Sequence, residues 1–257
     1  MRGMNPILDV NNCTKKFGGL VAVKNLTMTL NPGDLYGLIG PNGAGKTTVF
    51  NLLTGVYTPD EGSIVLDGKP IHRQKPSSIA RLGISRTFQN IRLFQSMTVL
   101  ENVKLACHMR RKQGLFDAVV HTHRLHAEED EIESAALELL KIFHLDGRAH
   151  ELALNLPYGS QRRLEIARAL ATRPKVLLLD EPAAGMNPQE SIELLHLIRW
   201  IRDKFEITVL LVEHNMKVVM GVCERIQVID YGETIALGTP KEIQDNPKVI
   251  EAYLGGA

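Results

Sequence analysis

One stretch of this chain combines glycines, a lysine and two threonines in the order that binds phosphate: Gly40-Pro41-Asn42-Gly43-Ala44-Gly45-Lys46-Thr47-Thr48. In loops of this pattern, backbone N–H groups surround the phosphates of a nucleotide. The Lys46 ammonium would neutralise phosphate oxygens, and the Thr47 hydroxyl would bind Mg²⁺. We therefore predict a site for a nucleoside triphosphate and Mg²⁺ here.

The flanking sequence favours this interpretation over a glycine-rich turn that is merely a tight connection. Leu35, Leu38 and Ile39 indicate a short buried strand before the loop. Residues Thr48 to Thr54 read as the start of a helix, whose N-terminal dipole would face the anion.

A second stretch, Val176-Leu177-Leu178-Leu179-Asp180-Glu181-Pro182, is an apolar run that ends in two carboxylates. Such a run is typical of a buried central strand that brings charge to the edge of a sheet. We predict that Asp180 contributes to the Mg²⁺ shell and that Glu181 orients or deprotonates water.

A third strand, Thr208 to Val212, ends at Glu213-His214. Strands that carry Lys46, Asp180 and His214 at their carboxyl ends would all point to one rim of a parallel sheet, where α/β folds bind ligands. These three residues are therefore expected to lie together.

Other segments indicate a mixed sheet and a helical insertion. Leu26, Met28 and Leu30 alternate with threonines, and Ile64-Val65-Leu66 ends at the turn pair Asp67-Gly68, so antiparallel strands accompany the parallel core. From about residue 77 to about residue 150, helix formers and charges dominate with apolar residues at helical spacing. A further helix is expected over Leu164 to Ala171, ended by Arg173-Pro174. The predicted fold class is α/β.

Composition narrows the possible partners and the compartment. The 257 residues include 30 Lys and Arg and 29 Asp and Glu, which gives a net charge of +1. A chain so close to neutral has no overall positive potential that would attract nucleic acid. The three cysteines are scattered, which favours a reducing compartment such as the cytosol. The sequence offers neither a signal peptide nor an apolar run of the roughly 20 residues that a spanning helix needs. His121, His123 and His126 have no ligand partner at metal-site spacing, and we expect no structural metal there.

With these pieces in this order, the chain resembles the nucleotide-binding subunits of ABC transporters across essentially its whole length. Beyond the two stretches above, Phe17 resembles the aromatic residue that stacks on adenine, and Gln89 resembles the Q-loop glutamine. The D-loop corresponds to Ala184-Gly185-Met186-Asn187, and His214 corresponds to the switch histidine.

This resemblance implies a P-loop NTPase cassette with a mixed sheet, an antiparallel β-subdomain and an inserted α-helical subdomain. It divides the single domain 1–257 into a core with the β-subdomain (about 5–90 and 175–240), a helical subdomain (about 91–160) and a helical tail (about 240–257). It also implies ATP as substrate, Gln89 as a further Mg²⁺ ligand that couples nucleotide state to subdomain rotation, and Lys46, Glu181 and His214 as the catalytic groups.

The family's signature motif departs from its usual Leu-Ser-Gly-Gly-Gln form, because this chain reads Leu156-Pro157-Tyr158-Gly159-Ser160. Gly159 and Ser160 remain as nucleotide-contacting candidates, whereas proline replaces the serine and lacks an N–H. Since each signature faces the phosphate loop of the other subunit in a head-to-tail dimer, this change is expected to weaken the partner's site.

Motifs outside the catalytic core resemble the branched-chain amino-acid uptake systems. These motifs span residues 83–89, 97–103, 158–168 and the tail from Gly238 to Gly255. The implied partners are a second ATPase subunit, either non-identical or another copy of this chain, two integral permeases, and a periplasmic binding protein acting indirectly. The resemblance places the chain on the cytoplasmic face of the inner membrane. Two alternatives stay open: an importer for urea, amides or other polar solutes, and a soluble ABC ATPase that does not transport.

Overall fold

The computed structural model describes residues 5–108, 123–213 and 216–254, without the side chains of 123–127, 217 and 254. His214 and the basic block Arg110-Arg111-Lys112 lie outside the described residues, as do His121 and the side chains of His123 and His126.

The strands are β1 (Leu8–Phe17), β2 (Leu20–Leu30), β3 (Leu35–Ile39), β4 (Glu61–Leu66), β5 (Lys69–Pro70), β6 (Ile84–Arg86), β7 (Val176–Asp180), β8 (Thr208–Val212), β9 (Arg225–Asp230) and β10 (Glu233–Gly238). The α-helices are α1 (Lys46–Leu53), α2 (Pro76–Leu82), α3 (Val99–His108), α4 (His123–Ile142), α5 (Tyr158–Ala171), α6 (Pro188–Phe205), α7 (Met216–Val222), α8 (Pro240–Gln244) and α9 (Pro247–Leu254). Short 3₁₀ turns span Asp146–Arg148 and Ala153–Asn155.

The chain divides into two compact units. The first contains residues 1–86 and 175–257, and the second contains residues 87–174. All the strands named above belong to the first unit, and α3, α4 and α5 belong to the second. The second unit is therefore an insertion between β6 and β7.

The first unit holds two sheets. One is antiparallel, in the order β2-β1-β4-β5, and the other has the order β10-β9-β3-β8-β7-β6. In the second sheet β3 pairs in parallel with both β8 and β9, β7 pairs in parallel with β6 and β8, and β10 runs antiparallel to β9. The prediction of a mixed sheet beside antiparallel strands is confirmed.

The apolar patterns of the sequence explain which strands are central. Every residue of β3, β7 and β8 is buried, as expected for strands that are covered on both faces. In β2, Leu26, Met28 and Leu30 are buried while the threonines between them are exposed, so one face of this strand is exposed to solvent.

The start of α5 corrects the sequence-based boundary. A helix was expected from Leu164, but it begins at Tyr158 and ends at Ala171 as predicted. Pro157 occupies the N-cap position with φ −55° and ψ 151°, where the missing N–H costs nothing because the first N–H groups of a helix have no partner within it. The proline therefore precedes the helix and does not interrupt it.

The three cysteines, Cys13, Cys107 and Cys223, are all free. Burial raises the pKa of the Cys223 thiol to about 12 and the pKa of the Cys13 thiol to about 11. Within the described residues, no helix has the length and apolarity to cross a membrane.

Candidate functional site

The phosphate loop joins β3 to α1 at the carboxyl edge of the parallel sheet. Gly45 occupies the N-cap position of α1 in a left-handed conformation, with φ 104°, and Lys46 is the first helical residue. The N-terminus of α1 thus opens toward the loop, where its free N–H groups and its dipole favour an anion. Thr47, the second residue of this helix, is exposed.

Lys46 is already folded over the loop. Its ammonium donates hydrogen bonds to the carbonyl oxygens of Gly40 (2.6 Å) and Pro41 (2.8 Å), and the residue is 8% exposed. Burial lowers the pKa of Lys46, while the charges of Glu181 and Asp180 act in the opposite direction. The two carboxylates are therefore close enough to influence the ammonium, so Lys46 and Asp180 lie together at one rim. His214, the third residue predicted there, lies outside the described residues.

The loop has almost no spare room at Gly45. A Cβ on Gly45 would lie 2.5 Å from the carbonyl oxygen of Ala22 in β2. The turn between β9 and β10 closes the other side, because the Gly232 N–H donates to the Ala44 carbonyl at 3.0 Å. Gly43 also has a positive φ, of 82°, but a Cβ there would meet nothing within 4 Å. The two glycines therefore form a matched pair for mutation.

We expect Gly45→Ala to be less stable than Gly43→Ala by about 1–3 kcal/mol, the usual cost of overpacking. Both substitutions carry the left-handed backbone penalty, of about 1–2 kcal/mol. Only the methyl group added at position 45 overlaps a backbone oxygen. Urea unfolding of the two nucleotide-free variants measures the difference. Equal midpoints and slopes for the two variants would contradict the tight loop.

Asp180 forms a buried ion pair that the sequence did not predict. Its Oδ2 atom accepts a hydrogen bond from Nη2 of Arg86 at 2.7 Å, and the two side chains are 8% and 7% exposed. The other terminal guanidinium nitrogen donates to Oδ1 of Asn51 in α1 at 2.7 Å, and the group lies 5.2 Å from the centre of the Phe50 ring. Arg86 thus ties the end of β7 to the helix that follows the phosphate loop.

Glu181 directly follows β7 and has a left-handed backbone, with φ 46°. Its N–H donates to the Val212 carbonyl at the end of β8 (2.9 Å). Non-glycine residues with positive φ are uncommon and cost of order 1–3 kcal/mol, and they cluster at functional sites. The conformation turns the chain sharply beyond the sheet at the position predicted for the water-activating carboxylate.

The donor set fits Mg²⁺. Mg²⁺ prefers oxygen ligands and usually takes only one or two protein carboxylates alongside substrate phosphates. The Thr47 hydroxyl and the Asp180 carboxylate are such donors and belong to the same unit, and the part of the chain that is described has no cluster of three or more His, Cys, Asp or Glu for a softer metal. Gln89, the third predicted ligand, lies in the other unit, and its role as a ligand stays a prediction.

Phe17, the predicted adenine-stacking residue, is 40% exposed at the end of β1. Its ring and the Tyr57 ring form a T-shaped pair with 5.0 Å between ring centres, and the Lys15 ammonium lies 5.5 Å from the centre of the Phe17 ring. Tyr57 had no sequence signal, since an isolated tyrosine after α1 resembles any surface aromatic. Stacking of adenine on Phe17 stays a prediction.

The D-loop runs from the turn after Glu181 into α6. Asn187 caps α6: its Oδ1 accepts from the Glu190 N–H (2.9 Å), and the Glu190 carboxylate accepts from the Asn187 N–H (3.1 Å). Asparagine caps a helix as well as aspartate does, so the cap of α6 needs no carboxylate at this position. Glu213, 1% exposed, accepts from the Ala183 N–H at 3.1 Å and so links the end of β8 to the residue that directly precedes the D-loop.

The remaining predicted residues belong to the second unit. Gly159 and Ser160 lie in the first turn of α5, directly after Pro157. Gln89 lies in an irregular segment after β6, and its backbone carbonyl accepts a hydrogen bond from Arg162 of α5 (2.7 Å). Whether Gly159 and Ser160 contact nucleotide in a partner subunit stays a prediction.

A loop of this form on a parallel sheet, followed by a helix N-terminus and faced by strand-end carboxylates, defines a P-loop nucleotide-binding protein. The family model "ABC transporter" matches residues 23–184, and the model "Branched-chain amino acid ATP-binding cassette transporter" matches residues 233–257. The chain belongs to the ABC transporter family of ATP-binding cassettes, and the resemblance read from the sequence is confirmed.

Individual relatives agree with this assignment. The chain is 48% identical over 252 residues to the high-affinity branched-chain amino acid transport ATP-binding protein LivG of Escherichia coli (strain K12), a match that covers 98% of this chain and 99% of that protein. The ADP conformation of MJ1267, an ATP-binding cassette of an ABC transporter, superposes with a TM-score of 0.84 at 32% identity, covering 98% and 99% of the two chains. MJ0796, a cassette solved as a dimer in a post-hydrolysis state bound to ADP and Pi, has a TM-score of 0.77 at 26% identity, covering 91% and 98%. The predicted fold class is confirmed.

Proposed function

We propose that this chain is the ATP-hydrolysing subunit that powers import of leucine, isoleucine and valine through a membrane ABC permease. The observation that carries the substrate class is the 48% identity to LivG over 98% of this chain. The branched-chain model over residues 233–257 supports it from outside the nucleotide site. An α/β fold hosts many functions, so the substrate rests on these similarities and not on the fold.

The sequence motifs, together with the surroundings of Lys46 and Asp180, support the following roles for the nucleotide site. The loop from Gly40 to Thr48 binds the phosphates of ATP, with Lys46 exchanging its bonds to the loop carbonyls for phosphate oxygens. Thr47, Asp180 and Gln89 hold Mg²⁺, which when bound would neutralise charge on the phosphates. Phe17 stacks on adenine.

Glu181 and His214 act on the γ-phosphate. Glu181 follows a central strand and accepts a proton from, or orients, the attacking water. His214 donates a hydrogen bond to the γ-phosphate, where negative charge accumulates as water attacks. Gly159 and Ser160 contact ATP bound by the opposing subunit, with Pro157 reducing that contact.

The proposed assembly places two cassettes against two permeases on the cytoplasmic face of the inner membrane, where this chain is peripheral. The second cassette is a non-identical ATPase subunit or another copy of this chain, and a periplasmic binding protein delivers the solute. The dimeric state of MJ0796 supports a two-cassette arrangement. The two cassettes would close when ATP binds and separate after hydrolysis. The Gln89 region would transmit this motion to the permease.

The test is ATPase activity of the chain assembled in lipid with the permeases and second ATPase encoded beside it. We expect stimulation by a binding protein loaded with leucine, isoleucine or valine, and none by the unloaded protein. The same complex carrying Glu181→Gln controls for contaminating ATPases. If only a binding protein loaded with urea or an amide stimulates the ATPase, the chain belongs to a related importer for those solutes. If the chain alone hydrolyses ATP rapidly and no membrane partner changes its rate, it acts as a soluble ABC ATPase.

A further inference from the structure

Arg162 of α5 is fully buried and directs its guanidinium at the backbone around Gln89. Nη1 donates to the Phe88 carbonyl at 2.6 Å, and Nη2 donates to the Gln89 carbonyl at 2.7 Å. The same nitrogens also reach Glu165 Oε2 (2.8 Å) and the Tyr158 hydroxyl (3.2 Å). A fully buried arginine thus uses two of its bonds on consecutive carbonyls of an irregular segment.

Glu165, 2% exposed, binds N–H groups of the same segment, whereas Arg162 binds its carbonyl groups. Its Oε1 atom accepts from the N–H groups of Phe88 and Arg92, each at 3.2 Å. One helical turn further, Arg168 donates to the Arg92 carbonyl. The three charged residues repeat every third position, so they lie along one face of α5 and bind both ends of residues 88–92, here called the Gln89 segment.

We propose that Arg162 and Glu165 are positioning residues that make the Gln89 segment move together with α5. Buried charge-assisted hydrogen bonds are short and strong, and separating them would leave a charge without a partner. Residues 88–92 belong to no helix or strand. The charged side chains of α5 bind backbone groups at both ends of this irregular segment, which couples its position to that of the helix.

The consequence is a direct link between two elements of the ATP cycle. Gly159 and Ser160 lie in the first turn of α5, so a force applied at the signature motif by nucleotide moves the same helix that holds the Gln89 segment. This inference rests on the proposed function for the signature and Gln89 roles. It adds the two side chains that connect them within one unit of the chain.

The direct test is hydrogen–deuterium exchange on the full chain, assembled with its second ATPase and permeases, with and without Mg²⁺ and ATP. In the wild type, nucleotide is expected to change protection of peptides covering 88–92 and 158–165 together. In Arg162→Leu/Glu165→Leu, which removes both charges and keeps good helix formers, the change at 158–165 should persist and that at 88–92 should be lost. Glu138→Leu/Lys141→Leu is the control, since it removes an exposed helical ion pair of the same spacing in the same unit.

A purely structural pair would give a different result. Exchange at 88–92 would then be faster in both states of the double variant, but its nucleotide-dependent change would equal that of the wild type, and this would overturn the proposal. Should the double variant not fold, Glu165→Gln is measured instead. A smaller loss of the same change is expected there, because an amide offers one acceptor oxygen where a carboxylate offers two. An unaltered change in Glu165→Gln would equally overturn the proposal.

A second readout separates this inference from the proposed function. Stimulation of ATPase by the leucine-loaded binding protein should fall about 2- to 30-fold in the double variant, the range seen for residues that modulate coupling. The control variant should stay within about twofold of the wild type, because exposed ion pairs contribute little. If the wild-type complex is not stimulated at all, the proposed import function fails, and the exchange comparison still decides the role of the pair.

Discussion

Glu181→Gln is expected to lower ATP turnover by about 10²- to 10⁴-fold, the usual contribution of a general base, while ATP binding persists. Glutamine keeps the size of the side chain and the turn after β7, but its amide cannot take the proton of the attacking water. The phosphate loop and Lys46 are unchanged by the substitution. ATP should therefore bind, close the two cassettes and remain unhydrolysed.

Two measurements check this expectation. Turnover is measured in the assembled complex, and oligomeric state is measured by light scattering of the variant with its partner ATPase, with and without ATP. Because ATP binds the closed form preferentially, the variant should accumulate as an ATP-bound dimer where the wild type does not. Glu193→Gln, an exposed carboxylate in α6, is the control and should behave as the wild type. A Glu181→Gln variant that stays monomeric with ATP beside its partner would contradict the two-cassette cycle.

The sequence predicts the fold correctly wherever the order of apolar and polar residues along a strand determines which side chains are buried. The unbroken apolar runs at β3, β7 and β8 and the alternation in β2 each determine which faces must avoid water. The glycine-rich loop could be placed because the glycines and Lys46 are adjacent in the chain. The carboxylates of Asp180 and Glu181 could be placed because parallel strands end at a common rim.

The contacts that were missed join residues far apart in the chain. Arg86 and Asp180 are separated by a complete inserted unit, and no local pattern marks a strand-end arginine as the partner of a strand-end aspartate. Glu213 was seen only as the neighbour of His214, although its contact with Ala183 is what the structure adds.

The first turns of α5 carried a signal that the sequence alone could not resolve. Arg162 and Glu165 are an oppositely charged pair at spacing three among buried positions, but a solvated helix face has the same spacing. The predicted start at Leu164 was too late, because Pro157 and Gly159 have low helix propensity although Pro157 can precede the helix at its N-cap position.

Arg86→Met is expected to destabilise the nucleotide-free protein by about 3–5 kcal/mol, because it takes the guanidinium counter-charge away from the buried Asp180 carboxylate. Methionine retains much of the packing against Phe50 but cannot bond to Asp180 or Asn51. The double variant Arg86→Met/Asp180→Asn removes both charges, so it should recover most of the loss. Lys24→Met, which breaks an exposed pair with Glu233, is the control and should unfold as the wild type does.

The same variant also reports on the metal site. If Asp180 binds Mg²⁺, then Mg²⁺ with ATP supplies a positive charge beside the carboxylate whose counter-charge Arg86→Met has removed. The variant should therefore gain more stability from Mg²⁺ and ATP than the wild type gains, and the excess should vanish when EDTA removes the metal. Urea unfolding in the four conditions, with or without ATP and with or without EDTA, measures this excess. An equal gain in both proteins would show that Asp180 does not bind the metal, whereas an Arg86→Met protein as stable as the wild type without ligand would show that the buried pair contributes nothing to the fold.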